Sequence, residues 1–191
     1  MMMKKTILAM GLIAVTMSQA NAASISLVAQ GTETMILNQI DSKTFKKARS
    51  SSEGTSTVNV TMFGKTETVT QTLRPPTDTN ADVTINVLDG STLRIVDIKN
   101  AIDENTKATI EKSLFGKIKS FSIHEQDYMR IYGPALEKAT KQRLNLGKTT
   151  YASKILNAED VFELTDLKCL RINDKELECK QDFKLSSKLE F

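Results

Sequence analysis

The hydrophobic and polar positions change period several times along the chain, and each change marks an element. Residues 55–73 alternate at period two on both sides of a glycine. With Gly64-Lys65 as a glycine-first two-residue loop, Thr61 faces Thr68, Asn59 faces Thr70 and Thr57 faces Thr72 on one side. The other side sets Val60 against Val69, Met62 against Glu67 and Val58 against Gln71. Threonine on one face and a largely apolar opposite face predict a β-hairpin in a sheet wetted on one side. A second alternation follows the breaker Arg74-Pro75-Pro76, with Val83, Ile85 and Val87, then Leu93 and Ile95 beyond Asp89-Gly90. A two-residue Asp-Gly loop would oppose Ile85 with Arg94 and mix the faces. The pattern therefore selects the loop Leu88-Asp89-Gly90 with Gly90 left-handed, which pairs Ile85 with Leu93 and Val83 with Ile95.

The middle of the chain changes period. Ile98, Ile102, Ile110, Leu114 and Ile118 lie on an i+4 row, with Ala101, Ala108 and Phe115 beside it. Strict fours drift around a helix of 3.6 residues per turn, so the row predicts a break near Asn105 and a helix over 106–119. Gly133-Pro134 reads as a second helix entrance with Gly147 near its exit, and Tyr151, Ala152, Ile155 and Leu156 form a further short stripe.

Strand patterns return at both ends. Ile25, Leu27 and Ala29 alternate, strand is expected onward to about Asp41, and the polar, serine-rich residues 43–54 read as a mobile loop. At the other end Leu177, Cys179, Phe183, Leu185, Leu189 and Phe191 share one face. Setting Cys169 opposite Cys179 leaves Asn173-Asp174-Lys175 as the loop. That register also places Lys168 against Lys180 and Asp166 against Asp182, an unfavourable pairing that predicts a slip or bulge outside the bridge. The fold class expected is α+β: an antiparallel sheet built from hairpins, two or three helices packed on one face, and a disulfide in the C-terminal hairpin.

The first residues belong to no such element. Lys4 and Lys5 precede an apolar run from Ile7 to Val15, and Ala20-Asn21-Ala22 closes it with small residues. A basic start, a short apolar core and an A-x-A exit predict a cleavable secretory signal over 1–22, cut between Ala22 and Ala23, in the style of a bacterial leader. The run is about half the length of a bilayer span, so no transmembrane helix is expected. Residues 23–191 then form a single domain, long enough for one ordinary core. Lys4 and Lys5 account for two of the 26 basic residues, leaving 24 against 23 acidic ones, a net charge of +1. Near neutrality, with no tryptophan, points away from nucleic acid and from stacking platforms. An exported pair of cysteines ten residues apart, lacking C-x-x-C spacing, reads as a structural disulfide.

Candidate chemistry is sparse. His124, the only histidine, would be a general base, yet neighbouring Glu125 points away from it on either a strand or a helix. One histidine and two bridged cysteines leave no zinc set. The acidic segment 78–82 lacks the length and terminal glutamate of a calcium loop, and phosphate-loop and nucleophile-elbow motifs are absent. Neither cofactor nor metal is expected. The last strand resembles the terminal strand of outer-membrane β-barrel proteins over fewer than ten residues, with Ser187 interrupting it. The chain otherwise lacks their long alternating strands and aromatic girdles. The expectation is an exported, non-catalytic module of the periplasm or exterior that binds a protein or surface component through an exposed strand edge. The alternatives are a small exported hydrolase using carboxylates with His124, and a self-associating structural subunit.

Overall fold

The computed structural model describes residues 23–73, 82–144 and 158–190, and for 136–144 and 158–162 the backbone alone. In chain order these residues form β1 (Ser24–Gln39), β2 (Thr44–Met62), β3 (Lys65–Leu73), β4 (Val83–Val87), β5 (Thr92–Asp97) and β6 (Ile102–Lys107). There follow β7 (Thr109–Lys112), β8 (Ile118–Ile123), α1 (Glu125–Leu144), β9 (Ala158–Leu164), β10 (Leu167–Arg171) and β11 (Glu176–Glu190). Every strand pairing is antiparallel.

The main path through the sheet is β6-β5-β4-β2-β1-β11-β10-β8-β7. Its two end strands are consecutive in sequence, separated only by Ala108, so the sheet curls into a nearly closed barrel. Curling places one row of side chains inside. Leu37, Phe45, Ile85, Leu93, Ile95, Ile118, Phe121, Ile123 and Leu177 are buried there, and the Phe45 and Phe121 rings meet at 6.2 Å.

Three strands are much longer than the barrel needs. At one level Gly31 of β1 faces both Gly54 of β2 and Phe183 of β11. Below that level β2 pairs with β4 and β11 with β10; above it they take β3 and β9 instead. The upper halves thus form a five-stranded blade, β3-β2-β1-β11-β9, continuous with the barrel through its three long strands. The glycine pair permits the waist. A Cβ on Gly31 would lie 2.0 Å from the Glu53 carbonyl oxygen, and one on Gly54 2.2 Å from that of Gln30.

The expected α+β class is corrected by this architecture. The described residues are mostly strand with one helix, not two or three helices on a sheet face. The region 106–119 is the end of β6, all of β7 and the start of β8, with Asn105 inside β6. Its i+4 row was a coincidence of short hairpins: Ile102 and Ile118 point into the barrel, while Leu114 and Phe115 lie almost fully exposed in the β7–β8 turn. That turn is closed by Gly116 at positive φ and by Ser113, which accepts at its carbonyl from Gly116 and at its hydroxyl from Lys117. The helix begins at Glu125, so Pro134 sits within it rather than at its first turn. Residues 44–54, expected as a loop, are the first half of β2. A full-length neighbour in β1 supplies the pairing that their serine-rich sequence does not advertise. The proline breaker, the acidic segment up to Ala81, Gly147, the stripe over 151–156 and Phe191 lie outside the described residues.

Both early hairpins form with the expected faces and a register two residues away. In the first, Phe63 and Gly64 both take positive φ, the mark of a type I′ loop, so Thr61 faces Thr66 and Val58 faces Val69. In the second, residues 88–91 make a four-residue loop tied by the Ser91 amide to Asp89, and Ile85 faces Ile95. Gly90 is not left-handed there. A slip of two conserves the facing of every side chain, which is why pattern alone does not separate the registers. The C-terminal hairpin has Cys169 opposite Cys179 and Lys168 opposite Lys180. The pairing slips by one residue before Leu164 meets Phe183, and Asp166 leaves the sheet instead of facing Asp182.

Candidate binding surface

The residues with chemical potential sit apart from one another. His124 is exposed at the residue before α1, where its Nδ1 accepts the Gln126 amide at 3.3 Å and its carbonyl accepts the Tyr128 amide at 3.0 Å. Asp166 accepts the Glu125 amide at 3.0 Å in the same turn. Both side chains therefore satisfy helix-end donors that would otherwise lack partners. Among the described residues no three His, Cys, Asp or Glu side chains gather as a metal site.

The cysteines form the bridge between β10 and β11, Cα to Cα 3.9 Å, fully buried within the barrel core. Such a cross-strand bridge belongs to an oxidising, non-cytoplasmic setting. Of the cleavage pair, Ala22 lies outside the described residues, and Ala23 is buried just ahead of β1.

A polar cluster that sequence reading missed fastens α1 to the barrel. Tyr128 and Tyr132, one helical turn apart, stack with ring centroids 4.7 Å apart and pack beside buried Ile131. Asp97, buried at the end of β5, accepts the Asn100 amide at 3.1 Å, its Nδ2 at 2.8 Å, and the Tyr132 hydroxyl. Burial first, and then the negative charge nearby, pushes both phenols well above their ordinary range. A phenol held neutral is a hydrogen-bond donor and no base, so this is an anchor. The i, i+4 tyrosines were a signal available in the sequence.

The blade is the part of the protein whose surfaces lack barrel packing. One face carries Ile25, Leu27, Val58, Val60, Phe183, Leu185 and Leu189, all half-buried, as a continuation of the barrel's inner face. The other carries the threonine ladder: Thr57–Thr70 at 3.2 Å, Thr61–Thr66 at 2.9 Å and Thr68 donating to Asn59 at 2.7 Å. The last strand, expected to offer a free edge, does not: β11 runs between β1 and, in turn, β10 and β9. The edge strand beside the ladder is β3, which pairs only with β2. Every residue of β3 but Leu73 is exposed, and its register with β2 is unbroken over nine residues. Natural edges are blunted by bulges, prolines, short length or charge, and of these devices β3 carries only the charges of Lys65 and Glu67.

Among the described residues no helix is long and apolar enough to cross a membrane. Comparison with models of known protein families, with curated proteins and with solved structures returns no match.

Proposed function

We propose that the protein is an exported, non-catalytic module that binds a protein partner of the cell envelope or exterior by strand addition at β3. The observation that carries this reading is the long, regular, exposed edge of β3. Main-chain donors and acceptors along such an edge supply affinity to an incoming strand, and alternate side chains supply specificity. The basic, apolar and small-residue order of residues 1–22, together with the buried disulfide, supports export. The hydrolase reading gains no support from His124, whose described contacts are those of a helix cap.

The test uses a photo-cross-linking side chain at Thr70 in cells exporting the full chain. An adduct is expected, retained in His124→Ala and lost in Thr68→Pro. Thr68 turns its amide outward from β2, so proline there blocks the edge and spares the main-chain ladder of the hairpin, at the loss of the Thr68 hydroxyl's bond to Asn59. Absence of any adduct overturns the reading.

A further inference from the structure

We infer that the strand added to β3 is the β3 of a second copy of this chain, the two related by a two-fold axis through Val69. The inference rests on the strand-addition reading above and names its partner.

The sequence of β3 between its ends is Thr66-Glu67-Thr68-Val69-Thr70-Gln71-Thr72, which reads nearly alike in both directions. The one mismatch, Glu against Gln, is isosteric. Antiparallel pairing about Val69 brings together residues equally distant from it: Thr68 with Thr70 of the second copy, Glu67 with Gln71, and Thr66 with Thr72. An isologous contact needs this self-complementarity, since each position must suit its own mirror position.

Backbone polarity agrees. The two-residue loop makes Met62–Lys65 a hydrogen-bonded pair, so by alternation Val58–Val69 is one as well. Val69 thus spends its amide and carbonyl on β2, and Thr66, Thr68, Thr70 and Thr72 direct theirs outward. Across the axis those threonines form the hydrogen-bonded pairs, and the two Val69 residues form the close pair between them.

The side chains agree on both faces. The four threonines lie on the ladder face, so Thr68–Thr70 and Thr66–Thr72 contacts extend the ladder already formed with Thr57 and Thr61. Val69, 56 % exposed beside Val58, meets its own copy on the apolar face. The Gln71 amide donates to the Glu67 carboxylate there, and no like charges are opposed. Joining the blades covers the β3 edge of each monomer.

The register makes a sharp test. The native cysteines are bridged to each other, so an introduced thiol is the only free one. Val69→Cys should cross-link to its own copy on mild oxidation, because directly opposed residues fall within disulfide reach. Glu67→Cys should not, since its copy lies four residues away along the edge. Purified native protein should show a concentration-dependent doubling of mass by light scattering. Thr68→Pro should remain monomeric with the strand content of the native protein by circular dichroism. A native protein monomeric at its highest soluble concentration, or Glu67→Cys cross-linking as readily as Val69→Cys, overturns the inference. If the protein is monomeric while the Thr70 adduct in cells contains a different protein, strand addition stands and the second copy is wrong. If no adduct forms, both fall.

Discussion

Replacing Gly31 with alanine adds one carbon at the waist where barrel becomes blade. That carbon would lie 2.0 Å from the Glu53 carbonyl oxygen and 2.8 Å from the Gly54 Cα, below the 3.0 Å that real Cβ atoms essentially respect. Both obstacles are backbone, so no rotamer change relieves them, and β1 must part from β2. Overpacking in a rigid site costs about 1–3 kcal/mol, and each ladder hydrogen bond lost at the parting adds about 1 kcal/mol. Against this, alanine restricts the unfolded chain and returns about 0.5–1 kcal/mol. The net expectation is a loss of about 3 kcal/mol, a large share of the roughly 5–15 kcal/mol that holds a domain folded. With a urea slope of about 2 kcal/mol per molar, the unfolding midpoint followed by circular dichroism falls by about 1.5 M. Gly90→Ala is the matched control. Gly90 lies in the β4–β5 loop outside the positive-φ region with no tertiary neighbour within 4 Å of its added carbon, and alanine there gains about 0.4–1 kcal/mol by restricting the unfolded chain. The same chemical change should therefore move the midpoint in opposite directions at the two sites. A Gly31→Ala protein as stable as the native one would refute the close backbone approach at the waist.

Removing the bridge by Cys169→Ala with Cys179→Ala should lower stability by about 3 kcal/mol, read as a urea midpoint shift that reductant reproduces in the native protein. Tyr128 and Tyr132 titrate above their unfolded value near 10, so the stability they confer is whole below pH 10 and is lost as pH rises towards their folded values. Urea midpoints should therefore fall above pH 10, and less steeply in a Tyr128→Phe, Tyr132→Phe double variant. Thr106 is buried with its hydroxyl unpartnered among the described residues, so Thr106→Val should raise stability by about 1 kcal/mol in the same assay, and a loss would show that the hydroxyl is satisfied.

Local pattern was a sound guide where a side chain's facing was at stake. Thr57, Thr61, Thr66 and Thr70 shared a face on sequence grounds and do so in the sheet; Val83, Ile85, Leu93 and Ile95 point inward as their alternation requires. The Cys169–Cys179 register followed from spacing and a short polar loop. The palindrome about Val69 was also present in the sequence, but it carries meaning only once β3 is known to be an edge.

Tertiary structure decided the rest, because those features depend on neighbours distant in the chain. Residues 44–54 become strand because β1 runs beside them, and no local preference announces that partner. The row Ile102, Ile110, Ile118 fits a helix and three short strands equally, and the pairings of β6 with β5, β7 with β8 and β8 with β10 settled it for strands. Registers two residues apart bury the same faces, so loop backbone at Phe63 and Gly64 chose between them. The waist at Gly31 and Gly54 joins positions far apart in sequence, and the edge status of β3 follows from where all the other strands lie. Sequence by itself determined which face each residue of the two early hairpins shows; the fold alone decided which faces and edges remain open, because openness is a property of what is not packed beside a strand.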